Sequence, residues 1–359
     1  MHVGLLIYGS LTTISGGFIY DRNLVRYLRE AGDRVDVISL PWRPYGLSLL
    51  DNLNSGLRRR LTQAPFDVLL EDELVHPSCF WLNQRLRRRL SYPVVAIVHH
   101  LRCCEARPPW KNRLYRWVEQ QYLASMAGFI FNSNATRTDV ERLVGSGRPA
   151  VIASPGGDRL PGKVTAEQIA IRAFAPGPFK IICVANLLPR KEVHTLIAAL
   201  ASLPRQDWQL SVAGSLTMDT SYVGSIRRQI EADGLSARIA LLGTVSDKDL
   251  AVLLPQHHLL AVPSSYEGFG IVYLEGMHFG LPAIASTAGA AKELIRHGHN
   301  GFLAPPGDAA ALARYISLLM TDRELLQRMS LTAYGSAAAH PTWDDSAARA
   351  RVFIQSFLR

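Results

Sequence analysis

The chain of 359 residues contains no apolar run approaching ~20 residues, the length a helix needs to cross a hydrocarbon core. A spanning helix is therefore not expected. Cysteine is scarce. The four, at positions 79, 103, 104 and 183, form no disulfide spacing and are expected to be reduced thiols in a cytosolic protein. Residues 1–10 lack a basic leader and a small-residue cleavage site, and read as a first core strand. His99-His100 and Cys103-Cys104 lack a distant ligand pair, and adjacent ligands bite one metal poorly. Acidic charge is also in deficit, with 30 acidic against 39 basic residues and a net charge of +9. Such a balance attracts anionic partners in general, whether nucleotides, lipid headgroups or nucleic acid. The arginines at 58–60 and 85–89 carry no interleaved aromatics and belong to no recognised nucleic-acid module, so a nucleic-acid partner is not expected.

What the chain does have is alternation. Strand-like runs at 3–7, 34–40, 66–70, 94–99, 129–132 and 150–153 are separated by helical patterns, among them 18–31, stopped by Gly32, and 133–144, opened by Ser133. A stretch rich in Gly, Pro and Ala, 154–178, is expected to hold the linker near its end, and the alternation restarts at 180–185. Strands separated by helices imply parallel, doubly wound sheets. The expected fold is α/β, with two Rossmann-like domains facing a cleft. Their expected bounds are 1–175 and 176–340, with a final helix over 341–359.

Residues 263–282 say the most. Glu267 and Glu275 stand eight positions apart, and Gly268-Phe269-Gly270 directly follows the first. A buried strand is expected over 258–262 and a helix over 271–279, with Ile271, Leu274 and Met277 on one face. The glycines then lie at a strand-to-helix turn, where unpaired backbone N–H groups and the helix dipole favour a phosphate. Glu275, about one turn into the helix, suits a vicinal diol such as a ribose. Gly16-Gly17, after the first strand, offers a second loop whose amides could approach phosphate or sugar. Arg190 and Lys191 follow strand 180–185, where a lysine supplies a point charge to a diphosphate. His99 and His100 end strand 94–99. Alternation turns one of them away from the crevice; the apolar run before it favours His99, and the sequence does not settle the choice.

This segment resembles the signature of the retaining family-4 glycosyltransferases, two-domain enzymes of the GT-B architecture that move a sugar from a nucleotide diphosphate. Glu267, Gly268, Phe269, Gly270 and Glu275 match it position by position, with Gly276 where Ala is usual. The resemblance implies that Glu267 and His99 lie by the donor sugar and that Glu275 holds the ribose. It also implies that Gly16, Gly17 and the amides of 268–270 meet the donor, Lys191 the diphosphate, and the loop at Val245 the base through its backbone. Asn186 departs from the family's Arg and removes a positive charge, for which Arg190 is the candidate replacement. The implied reaction retains anomeric configuration and uses no cofactor and no metal, since cationic side chains and a helix dipole can serve. The final helix is expected to cross back to the first domain. The implied partners are a nucleotide-sugar donor of the UDP- or GDP-hexose type and a glycan, lipid-linked or small-molecule acceptor. The expected location is the cytoplasm, with the inner face of a membrane left open: 81–90 reads either as a basic amphipathic helix for anionic lipid or as a solvated helix face that packs its leucines inward. Two rivals remain open: a nucleotide-sugar epimerase of the same fold, and a non-catalytic nucleotide-sugar-binding subunit.

Overall fold

The computed structural model describes all residues except Ile14, Ala106, Arg205, Gln206 and Arg359. The chain forms two compact units, Met1–Pro155 joined by Pro341–Arg359, and Gly156–His340. The division therefore falls at residue 155 and not at 175. The reason is the helix Ala166–Ala173, opened by a Thr165/Gln168 capping box, which buries Ile169 and Ala173 in the core of the second unit.

The first unit holds a six-stranded parallel sheet of β1 (His2–Tyr8), β2 (Arg34–Leu40), β3 (Val68–Asp72), β4 (Val94–Val98), β5 (Gly128–Phe131) and β6 (Ala150–Ile152), in the order β2-β1-β3-β4-β5-β6. β3 and β4 are buried at every position, as strands covered by helices on both faces must be. The sequence pattern ended the third strand at residue 70, before its acidic residues. The strand runs on through Glu71 and Asp72, both fully buried. Burial pushes their carboxyls up to about 7 and about 8, so each can enter the core as a neutral acid. The basic helix expected over 81–90 is instead His76–Leu86, opened by Pro77, and Leu82 and Leu86 face the core. The last helix, Trp343–Gln355, packs on Gly16–Glu30, with ion pairs Arg26–Asp344 at 2.5 Å and Arg351–Asp33 at 2.7 Å.

The second unit holds β7 (Phe179–Val184), β8 (Trp208–Ala213), β9 (Ile239–Gly243), β10 (Leu259–Val262), β11 (Ala283–Ser286) and β12 (Gly301–Ala304), all parallel, in the order β12-β11-β10-β7-β8-β9. Strand order reverses between β1 and β3 in one sheet and between β7 and β10 in the other. Ligands of such sheets bind outside the carboxyl ends of the strands at these reversals. Every residue proposed from sequence lies in a segment that leaves a strand's carboxyl end or in the helix that follows.

Candidate active site

At the β7/β10 reversal the chain leaves β7 through Asn186 and a single 3₁₀ turn, Pro189–Lys191. It leaves β10 through Pro263 to Gly270 and enters the helix Ile271–His278. The two exits are tied together: the Arg190 carbonyl accepts from the Ser265 N–H at 2.8 Å and from its Oγ at 3.2 Å. Lys191 Nζ donates to Glu267 Oε2 at 2.5 Å, and Ser264 Oγ donates to the same oxygen at 3.2 Å. Burial lowers the Lys191 pKa below its ordinary value; Glu267 works to raise it, and the nearby Arg190 charge lowers it further. A cation that is short of compensating charge is thus held beside a carboxylate.

Backbone geometry explains the glycines. Gly270 has φ 93°, and a Cβ there would lie 2.3 Å from the Tyr273 ring, so only glycine opens this helix without strain. Gly289, at φ 80°, lets Ala290 N–H reach the Glu267 carbonyl at 2.8 Å and pins the backbone under that carboxylate. Gly276, the departure from the family pattern, lies where a Cβ would come within 2.8 Å of Leu260 in β10. Glycine here draws the helix close onto the strand. Phe269 turns into the core, 4% exposed, which leaves only its backbone for a ligand. Glu192, directly after Lys191, is the one non-glycine described residue with positive φ, 50°; its carboxylate accepts from the Gly307 N–H at 2.7 Å.

Glu275 is 3% exposed and accepts from Arg159 Nε at 2.7 Å. The other end of the Arg159 guanidinium pairs with Asp247, two residues after Val245. Burial opposes the Arg159 charge, but Glu275 and Asp247 outweigh it and raise its pKa. Arg159 was not among the residues proposed from sequence, because it lies in the Gly-, Pro- and Ala-rich stretch 154–178, where no element was expected. Asn186 does not carry charge to this site. Its Oδ1 accepts from the Ser215 N–H at 2.9 Å and braces the β8 exit. In the sequence Asp247-Lys248-Asp249, Asp247 is on Arg159 and Asp249 takes the Ser246 hydroxyl at 2.6 Å.

At the β1/β3 reversal of the first unit, Gly16-Gly17 opens the helix Gly16–Glu30. A Cβ on Gly17 would lie 3.0 Å from the His99 ring. His99 Nε2 is 3.3 Å from Asp21 Oδ1, and its ring meets Tyr20 edge-on with centroids 5.0 Å apart. His99, not His100, therefore faces the glycine pair; His100 Nε2 is 3.2 Å from Glu105. Asp72 closes the group. Burial pushes Asp21 up to about 7 and Asp72 up to about 8, and lowers His99. Asp21 lies on the apolar stripe of its helix, with Phe18, Leu24, Val25 and Leu28; an acid on that stripe is the signal by which sequence could have found it. Among the described residues, Asp21, Asp72 and His99 form one group compact enough to hold a cation, and Glu73, His76 and Glu119 another. Both are buried apart from His99, which is half-buried, and burial raises the pKa of each of their carboxyls. The four cysteines are unbridged.

Two parallel sheets with strand-order reversals, one bearing a glycine-opened helix, two glutamates and a half-buried lysine, define a doubly wound protein of the class that takes its ligands at the carboxyl ends of its strands. Residues 18–157 match the glycosyl transferase 4-like domain and residues 164–335 match glycosyl transferases group 1. The chain is 28% identical over 283 residues to the D-inositol 3-phosphate glycosyltransferase of Nocardia farcinica, covering 74% of this chain and 62% of that one. The protein of the same name from Corynebacterium urealyticum is 25% identical over 97% of this chain and 92% of its own. Among solved structures, Anabaena HepE in complex with UDP and glucose superposes with a TM-score of 0.76 at 22% identity, covering 99% of each chain. The chain belongs to the family-4 glycosyltransferases of GT-B architecture. Among the described residues no helix is long and apolar enough to cross a membrane.

Proposed function

We propose that this glycosyltransferase moves a hexose-type sugar from a UDP- or GDP-linked donor to a glycan, lipid-linked or small-molecule acceptor, with retention at the anomeric carbon and without a metal. The observation that carries this reading is the Lys191–Glu267 pair at the β7/β10 reversal, beside a glycine-opened helix. The solved complex of HepE with UDP and glucose supports the donor class. In this reading the second unit takes the nucleotide and the first the acceptor.

Cleavage of the sugar–phosphate bond builds negative charge on the diphosphate and positive charge on the sugar. The amides of Gly268, Phe269 and Gly270, with Lys191 and Arg190, stabilise the first. Glu267 and His99 orient the sugar, with Gly16 and Gly17 allowing close approach. Glu275, steadied by Arg159, holds the ribose, and the backbone at Val245 holds the base. Retention follows from attack on the face the diphosphate leaves, the departing phosphate taking the acceptor's proton. The protein works in the cytoplasm, in contact with an anionic membrane surface.

A thermal shift with UDP, GDP, ADP and their sugar conjugates tests the donor site. A ligand at a hundredfold excess over Kd stabilises the folded state by about 2.7 kcal/mol. One nucleotide should shift the wild type, and Glu275→Ala much less; no shift from any of them refutes the donor site. Lys191→Ala and Arg190→Ala should both lower nucleotide affinity. If Arg190→Ala leaves it unchanged, Arg190 does not replace the charge missing at Asn186. The anomeric configuration of the product, read by NMR, tests retention.

A further inference from the structure

Three stretches of the first unit bring apolar side chains to the surface side by side. Helix Pro109–Ala124 exposes Trp110, Leu114 and Trp117 at 66%, 41% and 52%. Their spacing of i, i+4 and i+7 makes one stripe, separate from the buried face of Tyr115, Val118 and Tyr122. Gln121 continues the stripe and accepts from Gln84 Nε2 at 3.0 Å, which joins it to helix His76–Leu86. There the exposed Trp81 carries the Arg85 guanidinium 3.4 Å above its ring, and Phe80 meets Trp117 with ring centroids 5.5 Å apart. The Trp81 N–H donates to Asn52 Oδ1 at 2.9 Å, in the 3₁₀ turn Leu49–Leu53 that leaves Leu50 and Leu53 at 60% and 62% exposure. Just beyond Leu53 lies a surface depression of about 450 Å³ lined by Ser55, Gly56, Arg58, Arg59, Thr62 and Arg89.

Charge selects the occupant. Residues 81–90 and 107–118 contain no Asp or Glu, while Arg85, Lys111, Arg113 and Arg116 flank the aromatic stripe. A second copy laid on the same face would set like charges against like. Tryptophan favours the headgroup depth of a bilayer, and each Lys or Arg near an anionic leaflet contributes about 1 kcal/mol. We propose that this face docks on an anionic lipid bilayer, through Trp81, Trp110 and Trp117 with Leu50, Leu53 and Leu114 at the interface and the arginines and Lys111 on the headgroups. This deepens the membrane contact proposed above by naming its surface, which keeps Trp81 and Arg85 from the stretch 81–90 and adds the tryptophan stripe of helix Pro109–Ala124. Docking needs neither nucleotide nor turnover, so it and the transferase reading can fail separately.

Flotation of the full chain, without nucleotide, on vesicles of phosphatidylcholine alone or mixed with phosphatidylglycerol tests the proposal. The expected result is binding to the anionic vesicles only, weakened at about 1 M salt, where the screening length is about 3 Å. Trp110→Ser with Trp117→Ser, and separately Lys111→Glu with Arg113→Glu, should each lower the partition coefficient about tenfold or more. All four side chains are largely exposed, with Trp117 keeping one contact to Phe80, so the melting temperature should fall by only a few degrees at most, and a variant that melts cooperatively in that range is folded. Equal binding to both vesicle types, binding to neither, or full binding by both double variants overturns the proposal. A dimer in light scattering that the same substitutions dissolve assigns the face to a second copy and overturns it too.

Discussion

Replacing Lys191 by Met removes one charge of the half-buried pair while keeping most of the stem. At 2.5 Å and an effective dielectric of about 20, the gross attraction between Lys191 and Glu267 is about 6–7 kcal/mol. Burial offsets this by several kcal/mol for each ion, and the lowered Lys191 pKa says that burial prevails at the lysine. The net value of the pair is therefore small, yet removing one partner leaves Glu267 charged at 15% side-chain exposure. We expect Lys191→Met to lose about 2–4 kcal/mol of stability. Glu267→Gln in the same chain should return part of this, with a coupling of about 1–3 kcal/mol in the double-mutant cycle. If Lys191 also meets the leaving diphosphate, transfer by Lys191→Met falls about a hundred- to a thousandfold. Urea unfolding measures the first effect, and initial rates at saturating donor the second. Additive stability effects, within about 0.5 kcal/mol, together with undiminished turnover, would refute both the pairing and its role.

Arg159→Gln should raise the nucleotide dissociation constant about tenfold or more by releasing the Glu275 carboxylate, a loss typical of a charge-assisted hydrogen bond; calorimetric titration checks this. Gly270→Ala forces a Cβ at φ 93° against the Tyr273 ring and should destabilise the fold by about 2 kcal/mol or more, read by circular dichroism melts. The third expectation concerns pH. Asp21 and Asp72 ionise at about 7 and about 8 in the folded chain but near 4 when unfolded. Across that window the native state binds more protons. The stability they contribute is full below about pH 4 and is lost as pH rises through about 8. Asp72→Asn should flatten the slope, and denaturation midpoints across the window would show whether it does.

The signature was legible because its chemistry is local. Glu267, the glycines and Glu275 lie within nine residues, and strand–turn–helix patterning orients them without reference to anything distant. Lys191 was legible from its place after an apolar run, whereas the run before the two histidines favoured His99 without deciding between it and His100. Arg159 was not, because its two carboxylate partners lie 116 and 88 positions away and its own surroundings read as punctuation. Asp72 was missed for the opposite reason. Charge was taken to end a strand, whereas a carboxyl that keeps its proton costs the core little more than any other polar group. The boundary at 155 escaped because a short helix declares its allegiance only by what Ile169 and Ala173 pack against.

Glu192 holds a left-handed backbone that its side chain disfavours, at a cost of about 1–3 kcal/mol, directly after the lysine of the site. Glycine at this position would relax the turn and give up the bond to Gly307. The chain would then gain in backbone ease and lose the fixed aim of Lys191. Selection for thermostability and selection for turnover would accept different residues at this one position.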